Sequence, residues 1–238
     1  MALEIEGLSA GYGAITVLRD VSFTVRPKRT TALIGPNGVG KTTLVGALIG
    51  QVQSTGRIGL DGDDIRRLPT DKRIRRGLGY VPDTRGVFGG LTVRENIVSA
   101  ARASERDAMW EELSTTFPVL KEKEGSKAGQ LSGGQQQLVS IARALAGRPR
   151  YVLLDEPSIG LSPVAIQGVV DALQSLSSLE VGVLLAEQNS TLALRVAHEV
   201  IVLGGGGILW SGEPEGLRDS EKLARLYLGS PDSEENNS

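Results

Sequence analysis

Residues 35–43 read GPNGVGKTT. They follow the apolar run TTALIG and open KTTLVGALIG, whose apolar spacing is that of a helix. A strand, a loop of the form G-x-x-x-x-G-K-[ST] and a helix, in that order, predict a phosphate-binding loop. Glycine lets the backbone N–H groups of residues 37–41 curl toward one point, and the helix start adds the positive end of its dipole. Lys41 is then placed to reach the β- and γ-phosphates, and the Thr42 hydroxyl to ligate Mg²⁺. With 31 glycines in 238 residues, the string could arise from composition alone, so the flanking strand and helix give it its weight. Gly35, Pro36, Asn37, Gly38, Val39, Gly40, Lys41, Thr42 and Thr43 are thereby assigned to a nucleoside triphosphate.

Two further apolar runs, RYVLLDEPS and VGVLLAEQN, have the pattern of parallel strands buried on both faces. The first ends in Asp155 and Glu156, at the sheet edge where parallel α/β folds place ligands. Asp155 suits Mg²⁺, directly or through water. Glu156 suits a general base that polarises an attacking water. The plain alternative is a pair of helix-capping acids before Pro157. LSGGQQQ, residues 131–137, precedes the helical VSIARALAG. Ser132, Gly133 and Gly134, followed by Gln135, predict a second anion nest with bare N–H groups; a capped helix start is the alternative.

Composition bounds the function. Hydrophobic content is 40% and charged content 23%, ordinary values for a globular chain. A formal net charge of -2 and 4% aromatics argue against a nucleic-acid partner. Zero cysteines exclude disulfides, Cys–zinc sites and thiol chemistry, and one histidine cannot build a multi-His metal site. MALEIEG carries acids where a signal peptide needs a basic region, and no run of about 18 apolar residues is present to span a membrane.

Along the chain, LEIEGLSAGY and VSFTVRP predict an antiparallel start, RIGLDGDDI a hairpin at Asp61-Gly62, and VIVLGGGGILWSG a hairpin on residues 204–207. Helical spacing dominates from about residue 85 to 145, and STLALRVAHEV is also helical. The expected layout is an α/β core from residues 1–84 and 146–229, containing an antiparallel β subdomain. A helical subdomain, residues 85–145, carries LSGGQ, and residues 230–238 form a disordered tail. The basic run IRRLPTDKRIRRG reads as a solvated helix face. Trp110, Trp210 and the lone His198, placed on the helix VAHEV, read as packing or surface residues.

GPNGVGKTT, LSGGQQQ ahead of RAL, and YVLLDEP, in this order and spacing, resemble the ATP-binding subunit of an ABC transporter, from about residue 3 to 229. The resemblance implies a P-loop NTPase core of the RecA-like kind, with antiparallel β and inserted helical subdomains. It implies ATP and Mg²⁺ as cofactors and two subunits paired head to tail. Each ATP would lie between one subunit's phosphate loop and the partner's Ser132, Gly133, Gly134 and Gln135. It further implies integral membrane permease subunits, a solute-binding protein acting indirectly, and a peripheral place at the cytoplasmic face of the cell membrane. Tyr12, in SAGYG, matches the aromatic that stacks on adenine.

Three departures from the family pattern stand out. Asp83 ends the strand YVP where glutamine is usual, and is a candidate direct Mg²⁺ ligand. Ser162 replaces a frequent aspartate. Gln188 occupies the position of the switch histidine; an amide can hydrogen-bond a γ-phosphate or position water but cannot take a proton. Glu156 is then the expected base and Gln188 the γ-phosphate sensor.

PSIGLSP, AEQN and the short YVPDTRGVF loop resemble the branched-chain amino-acid uptake subgroup, specifically its smaller ATPase, with urea or amide uptake as the nearest variant. From other classes, a soluble ABC-type ATPase would usually carry two cassettes or a long coiled coil. A P-loop small-molecule kinase is disfavoured by LSGGQ and by Glu156 directly after Asp155.

Overall fold

The computed structural model describes residues 2–176, 179–217 and 220–228. The tail expected at residues 230–238 lies outside the described residues. Strand β1 (Leu3–Tyr12) pairs antiparallel with β2 (Ile15–Val25), and β3 (Thr30–Ile34) leads through the glycine-rich loop into α1 (Lys41–Ile49). Next come β4 (Gln53–Leu60), β5 (Asp63–Asp64), α2 (Thr70–Arg75) and β6 (Leu78–Val81). The helices α3 (Val93–Val98), α4 (Arg106–Thr116), α5 (Pro118–Glu122) and α6 (Gly133–Ala146) follow one another without an intervening strand. The chain returns through β7 (Tyr151–Asp155), α7 (Pro163–Leu176), β8 (Gly182–Glu187), α8 (Ser190–Val196), β9 (Glu199–Gly204), β10 (Gly207–Gly212) and α9 (Ser220–Leu228).

Among the described residues two sheets form. One is antiparallel, in the order β2-β1-β4-β5; the other runs β10-β9-β3-β8-β7-β6 and is parallel except for the edge strand β10. β3, β7 and β8 are buried at every residue because alternate side chains enter different cores. Val152, Leu154, Val183 and Leu185 pack with the helices of residues 93–146 and α7, whereas Tyr151, Leu153, Leu184 and Ala186 pack with α1 and the antiparallel sheet. A third core joins α8 and α9 to the outer face of β3 and β9.

Turn chemistry closes the hairpins. Asp61 and Gly62 adopt φ of 53° and 93° between β4 and β5, and Gly205 and Gly206 adopt 58° and 83° between β9 and β10. Two consecutive positive φ values are what a two-residue hairpin turn with the correct strand twist requires.

Two sequence expectations need correction. Arg73, read as part of a solvated basic face, is 3% exposed. Its guanidinium donates to the Ala47 and Leu48 carbonyls at 2.7 and 2.8 Å, satisfying the orphan acceptors that end α1. His198 does not sit on a helix: α8 stops at Val196. His198 Nδ1 instead accepts the Thr30 N–H at 3.1 Å, while its own N–H donates to the Thr30 carbonyl, fastening the start of β3.

Candidate active site

Register brings the site together. Ile34 of β3 stands beside Glu187 of β8, and Ala186 beside Asp155 of β7. Neighbouring strands lie about 4.8 Å apart, so the carboxyl ends of β3, β8 and β7 present Gly35, Glu187-Gln188 and Asp155-Glu156 along one edge.

The loop after β3 depends on glycine. Gly38 and Gly40 have φ of 78° and 111°, and a Cβ on Gly35 would sit 2.6 Å from the Leu203 carbonyl oxygen. Gly40 is the N-cap of α1 and the helix start has no side-chain cap. The N–H groups of Gly40, Lys41, Thr42 and Thr43 form no hydrogen bond within the protein among the described residues. Four donors at the positive end of the helix are therefore left without protein partners among the described residues. Lys41, 3% exposed, donates through Nζ to the carbonyls of Gly35 and Pro36 at 2.9 and 3.1 Å. Its third interaction is an ion pair with Glu156 Oε1 at 3.1 Å.

Asp155 is fully buried; Oδ1 accepts from the Thr42 hydroxyl at 3.2 Å, and Oδ2 has no partner. Burial pushes its carboxyl up to about 6; the Thr42 hydrogen bond opposes this, while the charges of Asp83 and Glu156 add to it. Tyr80 is pushed up to about 12, first by burial and then by Asp155 and Asp83. Asp83 itself is exposed and makes no hydrogen bond among the described residues, so its connection to the site is electrostatic. Glu156 adopts φ 44°, a left-handed conformation costing a non-glycine residue about 1–2 kcal/mol. Its N–H donates to the Ala186 carbonyl at 2.8 Å, which holds that conformation in place.

A cleft of about 400 Å³ opens beside these groups, lined among others by Glu156, Ser158, Glu187, Gln188 and Asn189. Gln188 is exposed there. Glu187, which sequence reasoning passed over inside an apolar run, is 1% exposed. Burial raises its carboxyl above the ordinary range, against the hydrogen bonds from Ser158 and Asn189. The available signal was a carboxylate in the last position of a strand otherwise wholly apolar.

The second predicted nest is built differently. Ser132 Oγ accepts the Gln135 N–H at 3.4 Å, and Gln135 Oε1 accepts the Ser132 N–H at 3.1 Å. This capping box occupies two of the amides expected to be bare, and Ser132-x-x-Gln135 was its signature. Gly134 is a packing residue: a Cβ there would lie 2.6 Å from Ala165 Cβ of α7. Gly133 lies near the Arg85 guanidinium and Leu161. Among the described residues no hydrogen bond joins Ser132–Gln135 to the phosphate loop or to Asp155 and Glu156. Tyr12 ends β1 with its side chain 54% exposed.

The model of the ABC transporter family matches residues 18–159. The chain belongs to the ABC transporter family. As an ABC ATPase it is 37% identical over 231 residues to the high-affinity branched-chain amino acid transport ATP-binding protein BraG of Pseudomonas aeruginosa, covering 95% of this chain and 99% of that one. It is 36% identical over 235 residues to the lipopolysaccharide export system ATP-binding protein LptB of Haemophilus influenzae, covering 95% and 97%. The crystal structure of an ABC-transporter ATP-binding cassette in its ADP conformation superposes with a TM-score of 0.83 at 25% identity, covering 96% of this chain and 99% of that one. This ABC ATPase binds and hydrolyses ATP.

Mg²⁺, typical of the family, fits the residues present. Asp155 Oδ2 is a buried, unpartnered oxygen, and Thr42 Oγ1 lies against the same carboxylate. Among the described residues no cluster of three or more His, Cys, Asp or Glu side chains could hold a metal alone. That suits an ion held by one or two protein oxygens together with substrate phosphates. Thr42 and Asp155 would hold it, and when bound it would neutralise phosphate charge.

Proposed function

We propose that this ABC ATPase energises uptake of branched-chain amino acids through separate membrane subunits. The observation that carries this reading is Gln188 facing the same cleft as Glu156, in AEQN, which with PSIGLSP and the YVPDTRGVF loop resembles the branched-chain subgroup. The likeness to BraG over nearly the whole chain supports it. In this reading the phosphate loop and Lys41 bind the triphosphate, Glu156 polarises the attacking water, and Gln188 senses the γ-phosphate. Asp83 contributes to Mg²⁺ binding through its charge. Tyr12 offers its exposed ring to adenine. The partner subunit, identical or related, supplies Ser132, Gly133, Gly134 and Gln135 to the same nucleotide.

No helix among the described residues is long and apolar enough to cross a membrane. The proposal places the chain at the cytoplasmic membrane face, bound to permease subunits, with a solute-binding protein acting upstream. A second reading, energising lipopolysaccharide export, is favoured by the similar likeness to LptB.

Uptake of labelled leucine, isoleucine and valine in source cells lacking the chain tests the proposal, with wild type or Glu156→Gln restored. Wild type restores uptake and Glu156→Gln does not. Uptake unaffected by the deletion would overturn the solute assignment, and surface glycolipid would then be measured in the same strains.

A further inference from the structure

The segment leaving Glu156 and the turn carrying Gln188 come from different parts of the chain, yet one side chain fastens both. Glu187 Oε1 accepts the Ser158 N–H at 3.0 Å. Oε2 accepts the Ser158 hydroxyl at 2.9 Å and the Asn189 N–H at 3.1 Å. Ser158 stands two residues after the strained Glu156, and Asn189 directly follows Gln188 and caps α8 through its own side chain.

We propose that Glu187 is a positioning residue of the hydrolytic centre, clamping residues 156–158 to residues 187–189 so that Glu156 and Gln188 face one cleft at fixed spacing. The inference rests on the assignment of Glu156 as the hydrolytic base.

A carboxylate suits this task better than an amide or hydroxyl. It accepts on both oxygens and has no proton to donate, so all three donors aimed at it are satisfied together. Hydrogen bonds to a charged acceptor are stronger than neutral ones. A buried anion is tolerated only when bonded in this way. An apolar residue at position 187 would release the carboxylate but leave two backbone N–H groups without acceptors. The clamp adds to the Glu156 N–H bond to Ala186, so the left-handed turn at Glu156 is held from both sides. A base and a γ-phosphate sensor on separate loops need such a tie, because a displacement of about 1 Å can cost roughly 100-fold in rate.

The test uses the purified full chain, comparing wild type with Glu187→Gln, Glu187→Ala, Ser158→Ala, the Ser158→Ala/Glu187→Gln double variant and Glu156→Gln. Phosphate release gives kcat, labelled ATP in equilibrium dialysis without Mg²⁺ gives affinity, and thermal melting reports folding. The clamp predicts that Glu187→Gln lowers kcat roughly 10-fold and Glu187→Ala roughly 100-fold, with ATP affinity within about twofold of wild type. Ser158→Ala, which removes one of the three bonds and leaves both loops intact, lowers kcat roughly fivefold. Because both residues act through one contact, the double variant is little worse than Glu187→Gln alone.

Retention of kcat in the Glu187 and Ser158 variants, with Glu156→Gln inactive, overturns the clamp and leaves the base assignment standing. Parallel loss of kcat, ATP affinity and melting temperature in every Glu187 and Ser158 variant also overturns it, since that marks a purely structural carboxylate. An active Glu156→Gln overturns the base assignment and the clamp with it.

Discussion

Helix α1 begins at Gly40 with φ 111° and no side-chain cap, whereas α6 begins at Ser132 with a reciprocal cap made with Gln135. At α1 the first amides have no protein partner among the described residues, and Lys41 and Asp155 are buried beside them. At α6 two donors are already satisfied internally, and the glycine next to them serves packing against Ala165. A glycine-capped helix start gives up only a few tenths of a kcal/mol relative to a side-chain cap and leaves its amides free of an internal partner. A side-chain-capped one folds by itself and offers less. Two glycine-bearing helix starts in one chain thus divide into one whose first amides have no protein partner among the described residues and one whose amides are partly satisfied by its own cap.

Variants at both starts sharpen or break this contrast. Lys41→Ala should have the largest effect, a loss of more than roughly 1,000-fold in ATP hydrolysis measured by phosphate release, because it removes a buried cation beside the loop. Retained hydrolysis would mean that the uncapped start is not the ligand site.

Asp155→Asn probes the strain stored at the same start. The Asp155 carboxyl lies at about 6 when folded and near ~3.9 when unfolded. The folded chain therefore holds a proton between about pH 4 and 6 that the unfolded chain releases. This group's contribution to stability falls as pH rises through that window and is constant above it. Asp155→Asn should remove that slope while abolishing Mg²⁺-dependent hydrolysis. Melting curves from pH 4 to 8 would show it.

At α6 the effects should be on folding first. Gly134→Val forces a branched side chain against Ala165 and should cost about 2–3 kcal/mol, lowering the melting temperature by roughly 5–10 °C. Ser132→Ala removes the cap and should cost about 1 kcal/mol, or roughly 2–4 °C. If Ser132→Ala left melting unchanged and lost only hydrolysis, the cap would be idle and the two helix starts would be alike.

The parts legible in the sequence are those with a local cause. The apolar runs of β3, β7 and β8 announce strands buried on both faces, and GPNGVGKTT announces its loop because glycine spacing and flanking elements are adjacent in the chain. Asp-Gly and Gly-Gly pairs place the hairpin turns for the same reason. What escaped has a distant partner. Arg73 looks like its solvated neighbours until the end of α1, some 25 residues earlier, supplies carbonyls for it. Glu187 reads as the fringe of an apolar strand until Ser158, 29 residues away, is brought to its carboxylate. The capping of α6 is local and was legible as the alternative to an anion nest; the double glycine gave the nest more weight. His198 was misplaced because apolar spacing runs past the point where α8 stops, and its partner Thr30 lies at the far end of the chain.

The ammonium of Lys41 has three protons, and each already has a destination: the carbonyls of Gly35 and Pro36 and the carboxylate of Glu156. A phosphate that claims one of them must displace an existing acceptor, and Glu156 is the one reached only by an ion pair across two elements. The exchange replaces one anion by another, so the lysine remains neutralised throughout while the carboxylate loses its counter-charge.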